Sequence, residues 1–118
     1  MAANPVVPIP ELQIDREITE SETMFRCSGR ITSSTSSKLQ EMVRGAIAGK
    51  KNIVLDLSNV SHMDSSGLGA LVGLWVSAKN AGSELKVISL SERVKELLHL
   101  TALDKLFAIS KFPDTPSF

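Results

Sequence analysis

Asp64-Ser65-Ser66-Gly67 sets a carboxylate, two hydroxyls and a glycine in a row, after the strand-like run Ile53-Val54-Leu55-Asp56-Leu57 and before an apolar helical stretch. The first backbone amides of a helix lack intrahelical acceptors and carry partial positive charge. Asp64 is the expected N-cap, its carboxylate accepting from amides one turn in. Ser65 is then the first helical residue. A phosphoryl group on its hydroxyl would meet waiting donors and a favourable dipole. The chemistry that suits this arrangement is reversible modification of Ser65, with Ser66 as its neighbour.

Other chemistries fit less well. Gly67-x-Gly69-x-x-x-Gly73 has the look of a nucleotide loop, but these glycines come well after the strand and no acidic residue ends the next one. They are expected instead to permit close approach: Gly67 and Gly69 of the helix start to a neighbouring backbone, Gly73 of the helix to a sheet. No Gly-x-Ser-x-Gly elbow surrounds either serine. His62 has no orienting group in view, so no catalytic residue is assigned and the chain is not read as an enzyme. Two histidines and one cysteine show no metal-ligand spacing, so neither metal nor cofactor is assigned. His62 is expected near an interface, and Trp75 in the core.

Several elements must position Ser65. Residues near Leu12 to Ile18 and Met24 to Gly29 read as a hairpin turning around Glu20-Ser21-Glu22. Leu39, Met42, Val43, Ala46 and Ile47 recur at helical spacing. Ser37-x-x-Gln40 offers a capping box at the start of that helix and Gly49 a stop at its end. Ile53 to Leu55 reads as a short strand buried on both faces, followed by a polar loop. Leu68, Leu71, Val72 and Trp75 line the next helix, which ends near Gly82. A strand over 85–90, a third helix capped by Ser91 with Val94, Leu97, Leu98 and Thr101 on its stripe, and a final strand over 108–111 complete the order. Strand, helix, strand from Ile53 to Leu90 predicts a parallel pair with a right-handed crossover. Sites in such sheets lie beyond the carboxyl ends of the strands, where Asp64 to Gly67 fall.

The chain has 118 residues, enough for one modest core. Thirteen basic residues balance thirteen acidic ones, which argues against a nucleic-acid footprint. A single cysteine, Cys27, excludes an internal disulfide and suits a reducing cytoplasm. The N-terminus lacks the pattern of a secretory signal, and the longest apolar run, Gly67 to Val76, is too short to insert in a bilayer. All five prolines lie at positions 5, 8, 10, 113 and 116, so 1–10 and 113–118 read as tails flanking a domain over 11–112.

Met63-Asp64-Ser65-Ser66-Gly67-Leu68-Gly69 behind its strand, with Ser91-Glu92-Arg93-Val94-Lys95-Glu96-Leu97-Leu98 and Leu103-Asp104-Lys105-Leu106-Phe107, resembles the STAS domain family, and in particular the bacterial anti-sigma factor antagonists. The resemblance runs from about Leu12 to Phe112. It implies a single α/β domain, with a mixed sheet of four to five strands packed with three to four helices. It also implies that Ser65 is the phosphoacceptor. The unphosphorylated domain would bind a serine-kinase anti-sigma factor, which holds its own ATP, and so release a sigma factor. Phosphorylation would end binding, and a serine phosphatase would restore it. Arg30, Thr32, Ser33, His62, Met63 and Leu68 would contribute to the partner contact around Asp64, Ser66 and Gly67.

The sequence departs from the family at one place. Members usually carry Gly-Glu-apolar-Asp where this chain has Gly29-Arg30-Ile31-Thr32. One acid has become a base and the other a hydroxyl. If Arg30 lies near Ser65, its guanidinium can clamp a phosphoserine. The loss of both acids also keeps an alternative open, a phosphorylation-independent STAS scaffold in a signalling assembly or beside a transporter ATPase.

Overall fold

The computed structural model describes residues 11–102. The expected tails at 1–10 and 113–118 and the expected strand at 108–111 lie outside the described residues. Strands β1 (Leu12–Ile18) and β2 (Glu22–Ile31) form the expected hairpin, with Leu12 opposite Gly29 and Ile18 opposite Thr23. Then follow α1 (Ser36–Ala48), β3 (Asn52–Met63), α2 (Ser65–Asn80), β4 (Leu85–Leu90) and α3 (Glu92–Leu100). The strands lie in the order β1-β2-β3-β4; β1 runs antiparallel to β2, while β2, β3 and β4 are mutually parallel. This is the α/β class with a mixed sheet, here of four strands and three helices among the described residues.

Alternation along the strands creates two unlike faces. Phe25, Cys27, Leu55, Leu57 and Val87 join Leu39 and Val43 of α1, Leu71 and Leu74 of α2 and Val94 and Leu98 of α3 in one core cluster. Burial raises the Cys27 thiol to about 12, with the Asp56 charge adding to the effect. It is held as a neutral core side chain. On the opposite face Arg26 meets Glu17 at 2.9 Å and Asp56 at 4.0 Å. Such exposed pairs contribute at most ~1 kcal/mol. Trp75 is only partly buried against the core, and Lys79 Nζ lies 5.0 Å from its ring centroid.

Two local expectations need correction. The polar stretch after Leu57 is not a loop: β3 continues through it to Met63. Val60 and Met63 anchor the extension in the core while Ser58, Asn59 and Ser61 face outward. Two register shifts against β2, between Arg26 and Ser28 and between Gly29 and Arg30, absorb one extra residue of β3 each. At the first, Asp56 Oδ1 accepts from the Ser58 amide and hydroxyl at 3.0 and 2.7 Å.

The second correction concerns the start of α1. Its N-cap is Thr35, not Ser37, and no side chain caps it. The Thr35 hydroxyl instead donates to the Arg30 carbonyl at 2.8 Å and accepts from the Thr32 amide at 2.9 Å. A capping residue has been diverted to pin the β2–α1 loop.

Helix α1 ends at Gly49, as expected. Gly49 is the C-cap, but its φ is −79°. The left-handed residue is Lys50, φ 62°. Lys50 N donates to the Ile47 carbonyl at 2.9 Å and Lys51 N to the Ala46 carbonyl at 3.2 Å, the bond pair of a Schellman motif. Helix α2 closes with the same pair, but there Gly82, φ 76°, takes the left-handed place. Lys50→Gly should therefore stabilise the domain by about 0.5–1 kcal/mol, since the removal of Cβ strain outweighs the added chain entropy. Urea unfolding of both proteins measures it, with an unchanged m-value and a raised midpoint as the expected result.

Candidate functional site

The site lies where β2 and β3 end. Asp64, in extended conformation, caps α2, and its Oδ1 accepts from the Gly67 amide at 2.9 Å. Its own amide donates to the Ile31 carbonyl at 3.3 Å. The amide of Gly67 holds the Asp64 carboxyl below its ordinary value, partial burial opposes this, and the amides of Ser33 and Ser66 and the nearby His62 reinforce it. The amide and carboxylate of Asp64 thus tie the first turn of α2 to the end of β2.

Gly67 explains why the helix starts here. It is buried, and a Cβ on it would sit 2.2 Å from the Ile31 carbonyl oxygen and 3.0 Å from Ile31 Cγ2. Only a residue without a side chain lets the first turn of α2 reach the end of β2 this closely. Gly69 and Gly73 behave differently from expectation: a Cβ on either would meet nothing within 4 Å. Neither makes a close approach to the sheet, so among the described residues both weaken α2 without aiding its packing.

Ser65 and Ser66 are exposed at the first two helical positions, as expected, and Leu68 is half-buried against the core. Ser33 is exposed on the neighbouring loop. Thr32 is 9% exposed, and its hydroxyl lies 3.0 Å from the Ser34 hydroxyl. It shapes the loop more than it meets a partner. Met63 is 5% exposed and belongs to the core, which corrects its expected place at the contact. Its position directly before the cap gave it the appearance of a surface residue, but β3 reaches Met63 and alternation turns it inward.

Arg30 pairs in register with His62, and their successors Ile31 and Met63 are both core residues. Alternation sends Arg30 and His62 to the other face of the sheet end, away from Ile31 and Gly67. The Arg30 guanidinium has no hydrogen bond or ion pair among the described residues. The geometry suits an exposed cation on that face better than a clamp on Ser65. Among the described residues no group of three His, Cys, Asp or Glu side chains is placed to hold a metal, and no helix is long and apolar enough to cross a membrane.

The STAS domain model matches residues 13–116, which include this serine-bearing helix start. The chain belongs to the STAS domain family. Among curated STAS relatives, the anti-sigma-B factor antagonist of Listeria monocytogenes is 36% identical over 104 residues, covering 83% of this chain and 90% of the relative. The anti-sigma F factor antagonist of Paenibacillus polymyxa is 33% identical over 100 residues, covering 83% and 86%. The crystal structure of an anti-sigma factor antagonist from Mycobacterium paratuberculosis has the same fold, with a TM-score of 0.75 at 24% identity over 86% of this chain and 88% of the other.

Two predictions follow from the geometry of this STAS site. Gly67→Ala should destabilise by about 1–3 kcal/mol through overpacking against Ile31, whereas Gly69→Ala should stabilise by up to ~1 kcal/mol through helix propensity. Paired denaturant midpoints with opposite signs are the expected outcome. Asp64→Ala should lower the melting temperature at neutral pH. Because the folded carboxyl titrates below its unfolded value, its contribution is complete above the ordinary carboxylate pKa near ~4 and is lost as pH falls through the folded value. The gap in melting temperature between Asp64→Ala and wild type should therefore narrow below about pH 4.

Proposed function

We propose that this STAS domain is an anti-sigma factor antagonist that binds a serine-kinase anti-sigma factor and is switched off by phosphorylation of Ser65. The observation that carries the reading is the exposure of Ser65 at the first position of a rigidly seated helix. The names of the relatives support the class of function. In this reading the kinase supplies its own ATP, and a separate serine phosphatase returns the domain to its binding form. Ser33, Ser66 and Leu68 surround the acceptor, while Arg30 and His62 flank the contact from the other face of the sheet end.

The physics of the switch follows from where the charge arrives. A phosphoserine adds about −1.5 to −2 charges at neutral pH. The positive end of the α2 dipole offsets part of this, by roughly 0.3–1 kcal/mol at an exposed site, and Asp64 opposes it. The fold holds. Against a partner, the same charge must be desolvated, and a loss of ~3 kcal/mol weakens binding about a hundredfold. Arg30 and Thr32, in place of two acids, present this partner with a different charge pattern. The cognate kinase is therefore expected to carry a complementary acid opposite Arg30.

The test is intact mass after incubation with ATP and the cognate serine kinase, for wild type and Ser65→Ala. A single phosphoryl addition to wild type, absent from Ser65→Ala, is the expected outcome. No addition to either, together with stable binding to the same partner, would instead support the phosphorylation-independent scaffold.

A further inference from the structure

At the opposite end of the sheet from Ser65, edge strand β1 and helix α1 enclose an open groove of about 320 Å³. Its apolar walls include Ile18, Met42 and Ala46. Ile18 is 60% exposed, unusual for a large aliphatic side chain on the core-facing side of a strand. Gly45, which also lines the groove, has open space around its Cβ position, so no packing among the described residues calls for a glycine there. Among the described residues the charged lining side chains are Arg16 and Lys51, and no carboxylate lines the groove. By contrast, the groove along α3 includes Glu92 and Glu96, and the one beside Trp75 includes Glu84.

The two cations differ in role. Lys51 Nζ donates to the Thr19 and Glu20 carbonyls at 2.7 and 2.8 Å, which fixes the β1–β2 turn without neutralising the ammonium charge. Arg16 has no ion pair among the described residues. An apolar floor with a rim of one sign selects for an apolar anchor flanked by the other sign. The volume accommodates a couple of large side chains, not the whole face of a helix. We propose that this groove docks a short acidic segment of another protein, one that presents one or two large aliphatic side chains between Asp or Glu residues. The groove lies at the start of β2 and the end of α1, whereas Ser65 lies past the end of β2, roughly 25 Å away at about 3.3 Å per strand residue. Docking here is therefore independent of the phosphorylation state, and lets the domain stay tethered while the Ser65 surface exchanges partners.

The test is an amide-shift titration of isotopically labelled full-length protein with three synthetic peptides. One carries two central leucines flanked by glutamates, one has lysines in place of the glutamates, and one has serines in place of the leucines. The proposal expects shifts at Arg16, Ile18, Ala46 and Lys51 with the first peptide only. Binding should weaken at least ~tenfold with Ile18→Asp or Arg16→Glu, and should fall as salt screens the rim. Ser65→Asp should bind the peptide as wild type does. Both altered groove residues are exposed, and the remaining amide spectrum of each variant reports that it is folded. No groove shifts at millimolar peptide would overturn the proposal. So would equal binding of the lysine peptide, or shifts confined to the Ser65 end. Groove shifts that grow with protein concentration alone would assign the surface to a second copy of the chain, and would also overturn it.

Discussion

The site depends on a single close approach, that of the Gly67 backbone to the carbonyl of Ile31. With no side chain between them, the first turn of α2 seats directly on the end of β2. The same carbonyl accepts from the Asp64 amide, and the Asp64 carboxylate returns to the Gly67 amide. Strand end, cap and helix start form one closed unit. Ser65 and Ser66 are carried on its outer side with little freedom of their own. A backbone seated in this way offers a partner the same surface at each encounter, which limits the ordering cost of binding.

The surrounding loop is organised to the same end. Thr35, which would ordinarily cap α1, bridges Arg30 and Thr32 across the loop. Thr32 is drawn toward Ser34, and the Ser33 amide helps to hold the Asp64 carboxyl charged. Helix α1 forgoes a side-chain cap for this, at a cost of about 1 kcal/mol in ordinary cases. The trade favours a rigid edge around the serine over local helix stability. Gly69 and Gly73 also weaken α2, and a Cβ on either would meet nothing within 4 Å among the described residues.

Much of this was legible in the residues. The order of strands and helices followed from hydrophobic period, and the cap from an acid before two serines. What escaped had local causes. Ser58, Asn59 and Ser61 read as loop because they are polar, yet one bulge before Val60 and one between Val60 and His62 turn Val60 and Met63 into the core while β3 stays paired with β2. Once the strand extends, Met63 must turn inward. Ser37-x-x-Gln40 matched a capping pattern, but the Thr35 hydroxyl had a tertiary partner that no local pattern reveals. Gly49 signalled the end of α1 one residue before the position that needs left-handed backbone. The fit of Gly67 against Ile31 was partly readable as a glycine at a helix start. The partner that makes it obligatory lies 36 positions earlier in the sequence.

Central to the account is that modification of Ser65 acts on an interface and leaves the fold intact. One preparation phosphorylated at Ser65, compared with its unmodified form, tests this most directly. Thermal unfolding and affinity for the cognate anti-sigma kinase would be read on the same samples. The account predicts melting temperatures within a few degrees of each other and a loss of affinity of about a hundredfold. A large fall in melting temperature with affinity retained by the folded fraction would contradict it, and would place the switch in the closed unit of Ile31, Asp64 and Gly67 instead.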